Sequence, residues 1–164
     1  MQNKQIPILT NKMALQIGDN APLFESKDQN GAPIKLADFL HKGNKIVLYF
    51  YPKDDTSGCT AQACNLKENY LDLQNAGYQI IGVSVDDEKK HTKFINKYEL
   101  PFPLVADTDK TVVEAYHVWK EKSMYGKKYM GTLRHTFIID ENGIIEDIID
   151  KVKTSEHSAQ ILKK

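Results

Sequence analysis

The chain has 164 residues, of which 41% are hydrophobic and 27% charged. That excludes a disordered or low-complexity polymer and suffices for one hydrophobic core without metal or disulfide staples. Lys plus Arg number 22 and Asp plus Glu number 22, so no excess of charge argues for nucleic acid or an anionic membrane as partner, and the longest apolar run, Lys45 to Tyr51, is strand-sized, as in a soluble protein.

Residues 1–13 lack periodicity and are expected to form a flexible extension ahead of one domain over 14–164. The segment Met1 to Thr10 is polar, broken by Pro7, and has neither the apolar stretch nor the cleavage site of a secretory signal, which points to a reducing cytosol. Leu23 to Ser26 and Ala32 to Lys35 flank Asp28-Gln29-Asn30-Gly31, predicting a small hairpin, and Ala37 to Leu40 reads as one helical turn. Ile46 to Tyr51 is a continuous β-branched and aromatic run, the pattern of a central strand buried on both faces. After the loop Pro52 to Gly58, small or apolar residues Ala63, Leu66, Tyr70, Leu71 and Leu73 recur at helical spacing, predicting one amphipathic helix from near Cys59 to a cap at Gly77.

Ile80 to Val85 is the next strand, and Asp86 or Asp87 can cap a helix presenting Phe94, Ile95 and Tyr98. Pro101-Phe102-Pro103 ends that helix, Leu104 to Ala106 forms a short strand, and Asp107 can cap a helix carrying Val112, Val113, Ala115 and Tyr116. A Lys-, Gly- and Tyr-rich stretch then reads as a loop. Thr132 to Asp140 and Ile144 to Ile149 form a hairpin around Glu141-Asn142-Gly143, and Thr154 can cap a last helix through Leu162. Alternation of strand and helix closed by a hairpin predicts an α/β fold, a central mixed sheet with helices on both faces.

With only two cysteines in the chain, a close pair in a reducing compartment points to catalysis or metal binding before structure. Cys59 falls where the loop after the central strand becomes a helix, so unpaired amides and the positive helix end favour a thiolate there. Thr56 can turn its hydroxyl toward the same spot, and Pro52 restricts the loop. Cys64 lies five residues on, which in a regular helix places the Cα atoms ~8.7 Å apart and the side chains ~140° apart around the axis. A disulfide needs Cα atoms within about 7 Å, so the pair can bond only if the helix start unwinds. As a zinc site the pair is poor, because common ligand spacing puts about two to four residues between the first ligands and the nearest downstream histidine is His91. Arg134, inside a strand, reads by itself as a solvated charge, His135 as a surface or satisfied histidine, and Asp54, Asp55, Asp86 and Asp87 as loop and cap carboxylates. The residues alone leave three readings open: a thiol peroxidase, a protein disulfide oxidoreductase lacking the usual Cys-x-x-Cys, and a domain whose cysteines merely pack.

The run from Phe50 to Cys64, FYPKDDTSGCTAQAC, resembles the active-site segment of the bacterioferritin comigratory protein, or peroxiredoxin Q, family of thiol peroxidases. Gly18 to Pro22, Val118 to Lys122 and Gly131 to Gly143 extend the resemblance, which covers roughly residues 14–162. It implies a thioredoxin-like fold and reduction of hydrogen peroxide and alkyl hydroperoxides. Cys59 would be the peroxidatic and Cys64 the resolving cysteine, joined in an intramolecular disulfide that thioredoxin reopens. Arg134 would activate the thiolate and polarise peroxide, Thr56 would hydrogen-bond it, and Pro52 would shield the sulfur. The resemblance implies a monomer with no cofactor and no metal. Ser57, where the family commonly has proline, and the lead before Ala14 depart from the pattern.

Overall fold

The computed structural model describes residues 14–164; the extension expected over 1–13 lies outside the described residues. Among the described residues, nine strands form three sheets. A small antiparallel hairpin, β1 (Glu25–Lys27) with β2 (Pro33–Lys35), occurs where the Asn-Gly turn predicts it. The central sheet has the order β5-β4-β3-β8-β9: β3 (Lys45–Phe50), β4 (Tyr78–Ser84) and β5 (Leu104–Ala106) run parallel, while β8 (His135–Ile139) and β9 (Ile145–Ile149) are antiparallel additions. β3 lies in the middle, and its alternating side chains feed two separate apolar layers. Ile46, Leu48 and Phe50 enter one, and Val47, Tyr49 and Tyr51 the other. That division is the period-2 geometry of a strand covered on both faces, where each fully buried Leu, Ile or Phe is worth roughly 1.5–3 kcal/mol.

One layer is roofed by α4 (Thr111–Ala115) and the first hairpin through Val112, Val113 and Ile34. The other is roofed by α1 (Ser57–Glu68), α2 (Tyr70–Asn75), α3 (Glu88–Tyr98) and α5 (His157–Leu162), through Cys59, Ala63, Leu66, Leu73, Phe94 and Ile161. The helical turn expected near residue 37 is a 3₁₀ turn, Leu36–Phe39.

Four expectations need correction. The single helix expected from Cys59 to Gly77 is two. At Asn69 the backbone leaves helical geometry (φ −107°, ψ 20°), and both its amide and its side-chain Nδ2 donate to the Asn65 carbonyl; an Asn that competes for the i−4 carbonyl bends or breaks a helix. The Lys-rich "loop" is a β-ribbon, β6 (Trp119–Met124) with β7 (Lys127–Thr132), closed by Tyr125 and Gly126, both at positive φ (53° and 77°), the twist a two-residue hairpin turn requires. Asp107 does not occupy the cap position of α4, which falls to Lys110, yet its carboxylate still accepts from the Val112 and Val113 amides. Thr154 lies in a 3₁₀ turn ahead of α5 and caps nothing; Gln160 Oε1 accepts from the Lys153 amide instead. Of the two candidates for the α3 cap, Asp87 takes it, accepting from the Lys90 amide at 2.9 Å.

Candidate active site

The site begins where β3 ends. Tyr51, still buried, is followed by Pro52 and by a short loop in which Asp55 adopts positive φ (59°), and α1 starts at Ser57 with Thr56 as its cap residue. The first amide to close a helical turn is that of Thr60, donating to the Thr56 carbonyl at 2.8 Å. The amides of Ser57, Gly58 and Cys59 therefore have no partner within the helix, and they lie in the same turn as Cys59, a residue that is 1% exposed. Helix geometry thus points hydrogen-bond donors at the place where a negative sulfur or oxygen would sit.

Thr56 donates its hydroxyl hydrogen to the Lys53 carbonyl (2.9 Å), which leaves its oxygen as an acceptor for the hydrogen of an incoming hydroperoxide. Arg134 is not inside a strand, as expected, but in the two-residue link between β7 and β8. The register places Phe50 opposite His135, so Arg134 falls level with Tyr51, at the mouth of the loop that leads to Cys59. Its guanidinium rests on the backbone of Gly58: a Cβ built there would lie 3.1 Å from Nη2. Nη1 donates to Gln62 Oε1 at 2.7 Å. The arginine is therefore held against the first turn of α1 and is not the solvated charge its sequence context suggests.

Gln62 was missed by the sequence reasoning, although a signal existed. It sits three residues after Cys59 on the apolar face that carries Ala63 and Leu66, and it is fully buried, so a polar group there needs a partner. Lys122 was missed as well. Its ammonium donates to the Thr132 carbonyl (2.8 Å), lying across Gly131, where a Cβ would be 2.9 Å from Lys122 Cδ. Burial pulls the Lys122 ammonium below its ordinary range, Arg134 pushes the same way, and the charge of Cys59 opposes both.

Cys64 has a different setting. It is half-buried on the flank of α1, and both cysteines are free thiols. Burial raises its thiol above the ordinary range, Glu68 adds to this, and Lys67 offsets part of it. The next residue, Asn65, ties α1 to the C-terminal segment: Nδ2 donates to the Ser155 carbonyl, and Oδ1 accepts from the amide and hydroxyl of Ser158.

Asp54, Asp86 and His91 present ligand atoms within 4.8 Å of one another. The donor set does not suit a cation. His91 Nε2 faces the Val105 carbonyl (2.8 Å), which can only accept, and Nδ1 faces Asp54 Oδ2 (2.6 Å), so neither nitrogen offers a free lone pair.

This constellation, a buried cysteine at a helix start whose neighbour Gly58 carries a clamped guanidinium, fits a thiol-based redox centre. The AhpC/TSA family model matches residues 17–148. Peroxiredoxin Bcp of Bacillus subtilis is 44% identical over 151 residues, 92% of this chain and 95% of that protein. Its Escherichia coli counterpart is 44% identical over 148 residues, 90% of this chain and 94% of that one. The solved bacterioferritin comigratory protein of Xanthomonas campestris, studied for its alkyl peroxide reduction activity, superposes with a TM-score of 0.80 at 34% identity, covering 88% of this chain and 96% of that one. The chain belongs to the AhpC/TSA family, as a peroxiredoxin of the bacterioferritin comigratory protein and peroxiredoxin Q group, and its fold is the thioredoxin-like one expected. It is accordingly a thiol peroxidase, an oxidoreductase.

Proposed function

We propose that this protein reduces hydrogen peroxide and alkyl hydroperoxides through Cys59, resolves the product with Cys64, and is recycled by thioredoxin in the cytoplasm, acting as a monomer through one domain over residues 14–164. The observation that carries the reading is the buried Cys59 sulfur at the α1 start, beside an Arg134 guanidinium fixed by Gln62 and resting on Gly58. In the first step the Cys59 thiolate attacks one peroxide oxygen, the O–O bond breaks, and the distal oxygen leaves as water or alcohol after taking a proton; the sulfur becomes a sulfenic acid. Arg134 and the unpartnered amides of Ser57 to Cys59 stabilise charge on the departing oxygen, Thr56 accepts from the peroxide hydrogen, and Pro52 limits water access. In the second step the Cys64 sulfur attacks the Cys59 sulfur, the S–O bond breaks, and water leaves, giving a disulfide. An external dithiol then reopens it by exchange.

Both cysteines lie in one helix, where their Cα atoms are ~8.7 Å apart, so closure requires the first turn of α1 to unwind. Asn65 holds the part of the helix that carries Cys64, which makes Cys59 the mobile partner. The test is one equivalent of hydrogen peroxide added to the reduced protein, with intact mass and free thiols followed over seconds. Loss of both thiols and of about two hydrogens supports the cycle; two unchanged thiols would overturn it in favour of a protein disulfide oxidoreductase or a domain whose cysteines only pack.

A further inference from the structure

Asp54, in the loop before α1, and His91, in α3, form the most enclosed ion pair among the described residues. Their side chains are 5% and 0% exposed, with Nδ1 and Oδ2 at 2.6 Å. Asp54 is saturated from every side: Tyr51 Oη donates to its Oδ1 (2.6 Å), and its own amide donates to Asp86 Oδ2 (2.8 Å), which also accepts from Ser84 Oγ. His91 Nε2 faces the Val105 carbonyl at the sheet, so the ring must carry a hydrogen there. Burial works against charge on His91, but the hydrogen bond and charge of Asp54, the Val105 carbonyl and Asp86 outweigh it and raise the imidazole above its ordinary range. The next loop residue, Asp55, is tied to the same helix by Lys97 Nζ (2.9 Å) and Tyr98 Oη (2.8 Å).

The loop that delivers Cys59 is thus fastened along α3 at two consecutive residues, and Asn65 fastens the far side of the reacting segment. Only residues 56–64 lie between the two anchors, and these contain both sulfurs. Resting on the peroxidase reading above, we propose that the Asp54–His91 pair is a latch that positions the loop before α1, favouring peroxide attack at Cys59 and opposing the unwinding that lets Cys64 close the disulfide. The two residues act through the loop and touch no reacting atom, so they are positioning residues. Because the folded helix start is what assembles the amides, Arg134 and Thr56 around the sulfur, the latch ties the two half-reactions together with opposite sign: a tighter latch speeds the first and slows the second.

The experiment is quench-flow with thiol alkylation and intact mass, measuring separately the second-order rate of Cys59 oxidation by hydrogen peroxide and the first-order rate of disulfide closure. The variants are His91→Leu and the near-isosteric Asp54→Asn, which removes the charge while keeping the shape. As a control, Ile145→Val in the opposite apolar layer removes a buried methyl far from the loop. The expected result is that the first rate falls and the second rises in both loop variants, changing their ratio by at least about tenfold, as loss of a buried ion pair implies. Amide hydrogen exchange should quicken over residues 53–60 alone. Ile145→Val should keep the wild-type ratio. Should His91→Leu not fold, Asp54→Asn decides. Both rates falling together, or an unchanged ratio in a wild type that cycles normally, would overturn the latch and leave the peroxidase reading standing. A wild type whose thiols survive peroxide would overturn both.

Discussion

Cys59 and Cys64 share one helix and differ in almost everything else. Cys59 is buried among the residues packed on the sheet, sits in a first helical turn whose amides lack helical partners, and follows Gly58, on which a guanidinium held by Gln62 rests. Cys64 sits on a half-buried flank next to Glu68, with its thiol pushed upward by burial and by that carboxylate. The difference separates the two tasks of the proposed cycle: an electrophile is attacked where charge is stabilised, and the second sulfur is kept protonated, and slow, until the first has reacted.

The sharpest way to break this comparison is to remove one sulfur at a time. Cys59→Ser should abolish peroxide reduction altogether in a coupled reductant assay, and residual turnover would mean the two cysteines have been assigned the wrong way round. Cys64→Ser should consume a single equivalent and stop, gaining one oxygen by intact mass and losing turnover with an external dithiol. Next in size is Arg134→Ala, expected to slow Cys59 oxidation by roughly 10²–10³-fold, the usual cost of one preorganised donor, without slowing disulfide closure to the same degree. Stopped-flow rates for the two phases would show whether the arginine serves only the buried sulfur. Gly58→Ala places a methyl 3.1 Å from Arg134 Nη2 and should displace the guanidinium, slowing the first phase about tenfold. The smallest effect is expected for Glu68→Gln. The Cys64 thiol is raised, so closure should quicken as pH rises through and beyond the ordinary thiol range; removing the carboxylate lowers the thiol and should speed closure about twofold at neutral pH. A pH profile of the second phase that is the same in the wild type and in Glu68→Gln would remove the electrostatic half of the contrast.

Much of this was legible in the sequence wherever burial and local turn chemistry agree. The run Ile46 to Tyr51 gave away the central strand because both faces are covered, and Asn30-Gly31 and Asn142-Gly143 marked their hairpins because those residues tolerate positive φ. The ribbon of β6 and β7 escaped because its strands are mostly polar and exposed, without the alternation that one-sided burial imposes, and its turn is built on Tyr125 rather than Asn or Asp. Arg134 shows the limit in the site itself. By local pattern it is a strand charge, and only the pairing of β3 with β8 brings it level with the loop carrying Cys59. The His91–Asp54 contact joins residues 37 apart, so neither residue could announce the other.

The same pairing governs when the site comes into being. A chain that has left the ribosome only as far as residue 110 already holds β3, β4, β5 and both sulfurs, yet one edge of β3 is bare until residues 135–139 arrive. Docking β8 against β3 closes a long loop and is among the slowest kinds of contact a small domain makes. That docking also delivers Arg134. On the proposed role of Arg134, reactivity toward peroxide would be acquired late in synthesis, because a nascent chain lacks the guanidinium that the finished protein sets against Gly58, next to Cys59.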